Sequence, residues 1–288
     1  MEFILKQIFS KEGLCVGLKK KVISLLTQNK DLILRGLSVA ILISIWWFLA
    51  EIGVTNHALR LDTSRWPSPW EVANATYHLA TQQPANMLTH MGMSLYRVLV
   101  GFVLAALIGI PLGLAIGWNK VVENLTFPII EALRPIPPLA WIPVILIAFG
   151  TGTTMIFITF IGAFFPIVLN SILGVKQVKE VQVEAAKSLG ADELTIFRKI
   201  VIPKALPSIF AGLGIGMGIA WVSIVAAEMV AGNYGLGYFV WSMYNTLSYA
   251  HVVVGMILLG VLGYICSLVV REVGNKATPW TDFQGGDC

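Results

Sequence analysis

The sequence predicts an all-α, polytopic transmembrane helical bundle, and three observations support that prediction. Of the 288 residues, 56% are hydrophobic and only 12% are charged, and the mean hydropathy is +0.77. Soluble domains carry about twice that share of charged residues. The apolar residues also run on continuously, whereas the strands of a transmembrane barrel alternate. Because backbone groups inside lipid must pair internally, these runs are predicted to be helices.

Six apolar runs are long enough, or nearly so, to cross a bilayer, for which about 20 helical residues are needed. They lie at residues 36–53, 93–118, 127–150, 154–175, 209–231 and 251–270. The run at 127–150 is the weakest, because Glu131, Arg134 and several prolines fall in its first half. We expect a broken or bent helix there, with its polar start at the cytoplasmic boundary or along a water-filled path.

The distribution of basic residues predicts that both termini are cytoplasmic. Of the 20 Lys and Arg residues, only Arg60, Arg65 and Arg97 fall on or near the opposite face, and cytoplasmic loops are the ones enriched in Lys and Arg. The net charge of +4 reflects this asymmetry and gives no reason to expect nucleic-acid binding.

This orientation divides the chain into three parts. A basic cytoplasmic or interfacial segment at 1–35 precedes a transmembrane domain at 36–272, and a cytoplasmic tail follows at 273–288. The transmembrane domain contains an external loop at 54–92 and a cytoplasmic loop at 176–204.

The external loop contains a predicted helix at 69–82. Ser68 can cap it, Pro69 suits the first helical position, and Glu71 can complete a capping box. Packing against the bundle is the simpler role for this amphipathic helix, and a landing surface for a solute-binding protein is the alternative.

Glycines four residues apart let helix backbones approach closely in lipid. They occur at 109, 113 and 117, at 212 and 216, and at 214 and 218. Packing within one subunit explains them, with a subunit interface or a moving pore wall as the alternative. The chain contains no GxxxxGK[ST] motif, so hydrolysis of ATP by a P-loop is not expected of it.

The cysteines, Cys15, Cys266 and Cys288, are predicted to be cytoplasmic or within a span, so no exported disulfide is expected. No Cys/His spacing indicates a metal site, and no catalytic constellation is evident.

The cytoplasmic loop is predicted to form two short helices. Residues 176–189 mix charges with apolar residues, Gly190 can end that helix with a positive φ, and Asp192 suits the start of the next helix. Pro203 and Pro207 are expected to break the second helix before the span at 209–231. The result would be a rigid projection that can transmit force to the spans.

The same loop resembles a known motif. Glu184-Ala185-Ala186, Gly190 and the Ile200-Val201-Ile202-Pro203 ending resemble the "EAA" loop of permease subunits of bacterial ABC importers, although that family usually ends I-x-L-P. The resemblance implies that the loop, hereafter the coupling loop (176–204), docks on an ATPase subunit. The implied coupling residues are Glu184, Ala185, Ala186, Gly190, Ile200 and Pro203.

Further motifs resemble one branch of that family, which imports nitrate, bicarbonate, sulfonates and taurine. They are the segments at 134–139, 162–166, 226–228 and 235–238. The resemblance covers about 65–272, and the motif at 66–69 looks most like the cyanobacterial-type nitrate permease and its bicarbonate relative.

The resemblance implies a type I ABC importer permease in the bacterial inner membrane, with no cofactor of its own. It implies a second permease copy, two ATPase subunits that bind ATP and magnesium, and an external solute-binding protein. Solute would pass by alternating access, most simply nitrate or nitrite, with bicarbonate or a sulfonate such as taurine as alternatives.

Ionisable residues within spans are candidates for function by default. Glu228 would repel an anion, so we expect it to shape a gate, with Arg97 as one possible partner. Arg134 can attract an anion or extend to lipid headgroups. The neutral candidates along the path are Asn170, Ser223, Asn233 and Tyr234.

Two other classes of protein remain as alternatives. A self-sufficient secondary transporter or channel would need its own coupling-ion site and often internal repeats. A membrane-embedded enzyme would need a catalytic constellation at membrane depth. The sequence shows no convincing sign of either.

Overall fold

The computed structural model describes residues 34, 36–38, 40–51, 55–56, 61–62, 66–82 and 84–280. Expectations for residues 1–33, for the tail beyond 280 and for Arg60 and Arg65 lie outside these ranges. The chain divides into two compact units, Met1–Ala73 and Asn74–Cys288.

The first unit contains helix α1, Gly36–Glu51, and a small antiparallel pairing of β1 (Thr55–Asn56) with β2 (Leu61–Asp62). Within it, the Trp46 indole donates a hydrogen bond to the Pro67 carbonyl at 3.1 Å. Helix α2, Pro69–Gln82, begins here and continues into the second unit.

The predicted capping box at the start of α2 is present. The Glu71 amide donates to Ser68 Oγ at 3.3 Å, and the Ser68 amide donates to Glu71 Oε2 at 2.8 Å. These two bonds satisfy donors that a helix start otherwise leaves unpaired, which explains why the sequence predicted the helix bounds so closely.

All the regular secondary structure in the described residues of the second unit is helical. Its helices are α3 (Pro84–Trp118), α4 (Lys120–Leu133), α5 (Ile142–Lys176), α6 (Glu180–Ser188), α7 (Glu193–Ile196), α8 (Ile202–Ala231), α9 (Leu236–Asn245) and α10 (Tyr249–Ala277), with a 3₁₀ turn at Pro138–Trp141 and a π turn at Phe197–Val201.

Four helical stretches in the described residues are long and apolar enough to cross a membrane. They are Ala85–Trp118, Pro138–Lys176, Glu193–Ala231 and Tyr249–Ala277, and α1 is shorter. The expectation of six spans is therefore not confirmed as a count. The apolar run at 127–150 does not form one helix: α4 ends at Leu133, and a positive φ of 74° at Gly150 kinks the helix that follows.

The core of this unit lies where α3, α5 and α8 pack together. Buried residues from all three helices form one apolar cluster, including Phe102, Met155, Ile158, Ile167 and Met217. The glycine pattern explains how closely the helices approach, because a Cβ at Gly113 would lie 2.7 Å from the Val168 carbonyl oxygen and one at Gly212 would lie 2.6 Å from Asn170 Cβ. Helix packing within the subunit therefore accounts for these glycines.

The glycines at 214 and 218 differ, because a Cβ added at either position would have no neighbouring atom within 4 Å. They lie on the open side of α8, beside the exposed side chains of Ile215 and Val222. Close packing within the subunit does not explain this second pair.

The expected break at Pro203 and Pro207 is wrong. Residues Glu193–Ala231 are one continuous helical stretch. Pro203 lies in the first turn of α8, and the π turn before it changes the hydrogen-bond register, with the Ile202 amide donating to the Phe197 carbonyl. Proline is tolerated at a position where a backbone N–H would be unpaired in any case, and its fixed φ suits a helix. The second half of the coupling loop is thus continuous with a membrane span.

Candidate functional site

The coupling loop forms an elbow at Gly190. Helix α6 ends at Ser188, Gly190 adopts a φ of 82°, and α7 begins after Asp192. The Gly190 amide donates to the Lys187 carbonyl at 2.9 Å, so the left-handed conformation closes α6 as predicted. The Thr195 hydroxyl lowers the pKa of Asp192 by hydrogen bonding, which keeps a negative charge at the start of α7.

One side of α6 packs inward and the other is open. Val183 and Ala186 pack against the main apolar cluster, as does Ile200 beyond the elbow. Glu184 and Ala185 are exposed, and Leu189 is 88% exposed. Val181 is also exposed, at 72%, so the open side of α6 carries apolar as well as charged side chains.

A second site lies at the far end of α8, around Glu228. Its carboxylate is fully buried and accepts hydrogen bonds from Arg97 Nη1 at 2.8 Å, from Ser94 Oγ at 2.7 Å and from the Gly237 amide at 3.0 Å. Arg97 is 7% exposed. A buried carboxylate is tolerated when its charge is paired and its oxygens are hydrogen-bonded.

The same interactions hold the turn between α8 and α9. Arg97 also donates to the Tyr234 carbonyl at 2.7 Å, and the Leu236 amide donates to Ser94 Oγ at 2.8 Å. The Gly235 amide donates to His90 Nδ1 at 3.1 Å. We call His90, Ser94, Arg97, Glu228 and residues 235–237 the glutamate cluster. It joins α3, α8 and α9 near one end of the bundle.

Gly235 is required by this arrangement on two grounds. Its φ is 123°, and a Cβ there would overlap the Glu228 carboxylate. Only glycine combines that conformation with so close an approach.

Sequence reasoning named Arg97 as a possible partner of Glu228 but missed Ser94 and His90. A signal was available, since His90, Ser94 and Arg97 are spaced i, i+4, i+7 and so share one face of α3. An ionisable face on an otherwise apolar helix indicates a buried polar network.

A third site is a cavity of about 390 Å³ beside α5 and α8, hereafter the central cavity. Its lining residues are Arg134, Ile136, Pro138, Ile161, Gly162, Phe165, Pro166, Leu169, Asn170, Ile215 and Ile219. Arg134 is the one charged side chain among them, and it is paired loosely with Glu131 at 3.6 Å. The side-chain amide of Asn170 donates from Nδ2 to the Pro166 carbonyl at 2.8 Å.

The structure thus separates the candidate path residues into groups. Arg134 and Asn170 line the central cavity, and Ser223 is buried next to Gly162 of its wall. Arg97 and Glu228 belong to the glutamate cluster, which Tyr234 joins through its backbone carbonyl. Asn233 is exposed in the turn after α8.

Comparison with known proteins places the chain in a family. Residues 108–276 match the family described as the binding-protein-dependent transport system inner membrane component. The chain is 40% identical to a putative ABC transporter permease of Methanocaldococcus jannaschii, over 91% of this chain and 97% of that protein.

Two relatives have named solutes. A nitrate import permease of Synechocystis is 36% identical over 94% of this chain and 98% of its own length. A taurine transport system permease of Escherichia coli is 34% identical over 84% and 88%.

Among solved structures, the inward-facing methionine ABC transporter MetNI contains a chain with a TM-score of 0.58 at 20% identity. That match covers 69% of this chain and all of the other, and it supports the all-α permease fold.

Proposed function

The chain belongs to the family of binding-protein-dependent transport system inner membrane components, the multi-pass permease subunits of ABC importers, and we propose that it imports a small anion, with nitrate or nitrite as the solute. The family is a transport family, so the subunit itself is not a catalyst. ATP and magnesium then bind to its ATPase partners, and an external binding protein delivers the solute.

One observation carries the choice of an anion: the central cavity offers a single charged side chain, and it is a cation. Arg134 stands among apolar residues and one amide in the lining. A guanidinium presents a rigid fork of donors that matches planar oxyanions. Its pairing with Glu131 is long at 3.6 Å, and both side chains are about half exposed, so the pair can open to a competing anion.

Taurine is the second candidate, and the same pair of residues favours it. Taurine carries a sulfonate and an ammonium group, which Arg134 and Glu131 could hold together. The taurine permease of Escherichia coli is almost as similar in sequence as the nitrate permease, so chemistry at this pair must distinguish the two solutes.

The coupling loop is the proposed contact with the ATPase. Glu184 and Ala185 are exposed on α6, where they can enter a groove, while Ala186 anchors the helix from the other side. Gly190 fixes the elbow, and Ile200 and Pro203 lie in the π turn and first turn of α8. Because the helical stretch from Glu193 continues into α8 without a break, a movement of the second half of the loop reaches the central cavity through one helix.

A second copy of the permease is the proposed neighbour of α8. Its open face carries Gly214 and Gly218 beside exposed Ile215, Ile219 and Val222. Small residues flanked by exposed aliphatic ones suit close helix contact in lipid, and two such faces would enclose the path between them.

The test is transport by the complete complex in liposomes, with its binding protein loaded in turn with nitrate, bicarbonate and taurine. We expect nitrate alone to stimulate ATP hydrolysis and to be taken up. Arg134→Gln should lower nitrate uptake about tenfold, because the cavity loses its attraction for anions. The difference between this variant and the parent should be smaller at high salt, which screens that attraction. Arg271→Gln, at an exposed position on α10, is the matched control and should transport normally.

The sign of the effect of Glu131→Gln separates the two solutes. For nitrate, removal of the carboxylate frees Arg134 and should maintain or raise uptake. For taurine, it removes the partner of the ammonium group and should lower uptake. Uptake that does not depend on ATP would instead support a secondary transporter.

A further inference from the structure

Both ends of the coupling loop touch the junction between α3 and α4. Lys176, at the end of α5, donates from Nζ to Glu123 Oε1 on α4 at 2.6 Å. Phe197, in the π turn, packs on Trp118 at the end of α3, with 5.6 Å between ring centroids. The junction is therefore held at both points where the loop joins the bundle.

Glu123 is the centre of the polar contact. Its side chain is only 16% exposed, and it also accepts from Lys120 at 3.1 Å. The Lys176 hydrogen bond, followed by that of Lys120, holds the pKa of Glu123 below its usual value. The Lys176 ammonium also lies 5.7 Å from the centroid of the Phe127 ring, which is a favourable cation–π distance.

Helix α4 links this contact to the central cavity. Asn119 caps its start by accepting from the Val121 and Val122 amides. Ile130 is buried against Val168 and Ile172 of α5. The Arg134 amide donates to the Ile130 carbonyl at 2.9 Å, so Arg134 is attached to the last turn of α4. Glu123 and Arg134 are about 16 Å apart along the helix axis.

We propose that Lys176 and Glu123 are a positioning pair, through which the position of the coupling loop sets the position of Arg134 at the central cavity. Neither residue touches the solute. The pair acts through α4, which is capped by Asn119, remains helical through Pro128 and packs on α5 through Ile130. The proposal rests on the proposed function of the central cavity.

The alternative to this linkage is transmission through α8 alone. The continuous stretch from Glu193 to Ala231 already joins the loop to the wall at Ile215 and Ile219. That route moves the lining formed by Ile215 and Ile219, whereas the charged lining residue, Arg134, follows directly on the last turn of α4. The two routes can therefore be separated by breaking the ion pair and leaving α8 intact.

The test uses a single reporter cysteine at Ile136, which lines the central cavity beside Arg134. The native cysteines at 15, 266 and 288 are replaced, and thiol labelling of the permease–ATPase complex is measured with and without ATP and magnesium. In the parent protein, ATP should change the labelling rate. In Lys176→Gln and Glu123→Gln, we expect that change to be lost and the solute transported per ATP to fall about tenfold, which is within the usual range for coupling between sites.

Lys120→Gln is the matched control, because it removes a second lysine from the same carboxylate without breaking a contact between elements. It should behave as the parent. Lys176→Arg keeps a cation opposite Glu123 and should retain both readouts, so a loss in Lys176→Gln reports the ion pair.

Normal ATP-dependent labelling in Lys176→Gln, or loss of the ATP-dependent change in Lys176→Arg, would overturn the pair. Absence of any ATP-dependent change in the parent would overturn the cavity assignment along with it. If labelling responds to ATP but no anion is taken up, only the choice of solute is wrong. The positioning pair is then tested by the labelling of Lys176→Gln and Glu123→Gln alone.

Discussion

The two ends of α8 are built in opposite ways. At its C-terminal end, Glu228 is fully buried, and its oxygens are satisfied by a guanidinium, a hydroxyl and a backbone amide of the same chain. At its N-terminal end, the coupling loop leaves Glu184 and Leu189 exposed. The first end is complete within one chain, and the second presents a surface that a partner can complete.

This contrast separates stability from transport. Changes in the glutamate cluster leave buried polar groups without partners, which costs free energy of folding. Changes on the exposed side of α6 remove nothing the fold depends on. The predictions below test this division and are ordered by their expected effect on the free energy of unfolding.

The largest effect is expected for Glu228→Lys. The new ammonium would be buried next to the Arg97 guanidinium, with no carboxylate to balance either charge. Breaking a buried ion pair costs about 3–5 kcal/mol, so the purified permease should lose most of its thermal stability. The measurement is the unfolding temperature in detergent, alongside uptake.

Glu228→Gln should cost less, because an amide oxygen can still accept from Ser94 and from the Gly237 amide. Equal loss from Gln and Lys would show instead that the negative charge is indispensable. Glu272→Lys makes the same charge change at an exposed position on α10 and serves as the control.

A smaller loss is expected for Gly235→Ala. The added methyl would meet the Glu228 carboxylate, and alanine does not favour a φ of 123°. Strain of this kind costs about 1–3 kcal/mol. Gly214→Ala is the matched control, because nothing lies within 4 Å of its Cβ position, and it should be neutral or slightly stabilising in the isolated permease. If both variants unfold at the wild-type temperature, the turn at 235 is not held by the carboxylate.

The sequence separation between contacting residues explains how much of the two regions at the ends of α8 could be predicted. The bounds of α2 and the elbow at Gly190 depend on neighbours within a few residues, so local chemistry predicted both. The side-chain partners of Glu228, Ser94 and Arg97, are more than 130 positions away in the chain. Residue type could nominate Arg97, and the shared face of α3 could add Ser94, but only packing shows that both side chains reach Glu228.

The failed expectation at Pro203 has a related cause. Proline was taken to end a helix because it removes one donor, which is a local argument. The π turn at Phe197–Val201 shifts the hydrogen-bond register just before that residue, and the packing of Ile196 and Val201 in the main cluster favours continuing the helix. The spacing of the coupling motif predicted the elbow at Gly190, while the continuous attachment of its second half to α8 required tertiary structure.

The smallest effect on stability, with the largest on transport, is expected for Glu184→Arg. Glu184 is exposed on α6, and no hydrogen bond of its carboxylate to another described residue is seen. Exposed substitutions away from special features usually change stability by less than about 0.5 kcal/mol, so the unfolding temperature of the isolated permease should not change. Uptake should nevertheless be abolished, because the reversed charge spoils the fit of α6 to the ATPase.

Lys187→Gln, on the same exposed helix, controls for loss of any single charge and should reduce uptake less than the reversal at 184. Normal uptake by Glu184→Arg would remove the coupling role from this face of α6. A lowered unfolding temperature would contradict the division between the two ends of α8, since it would mean that the exposed end also contributes to the stability of the single chain.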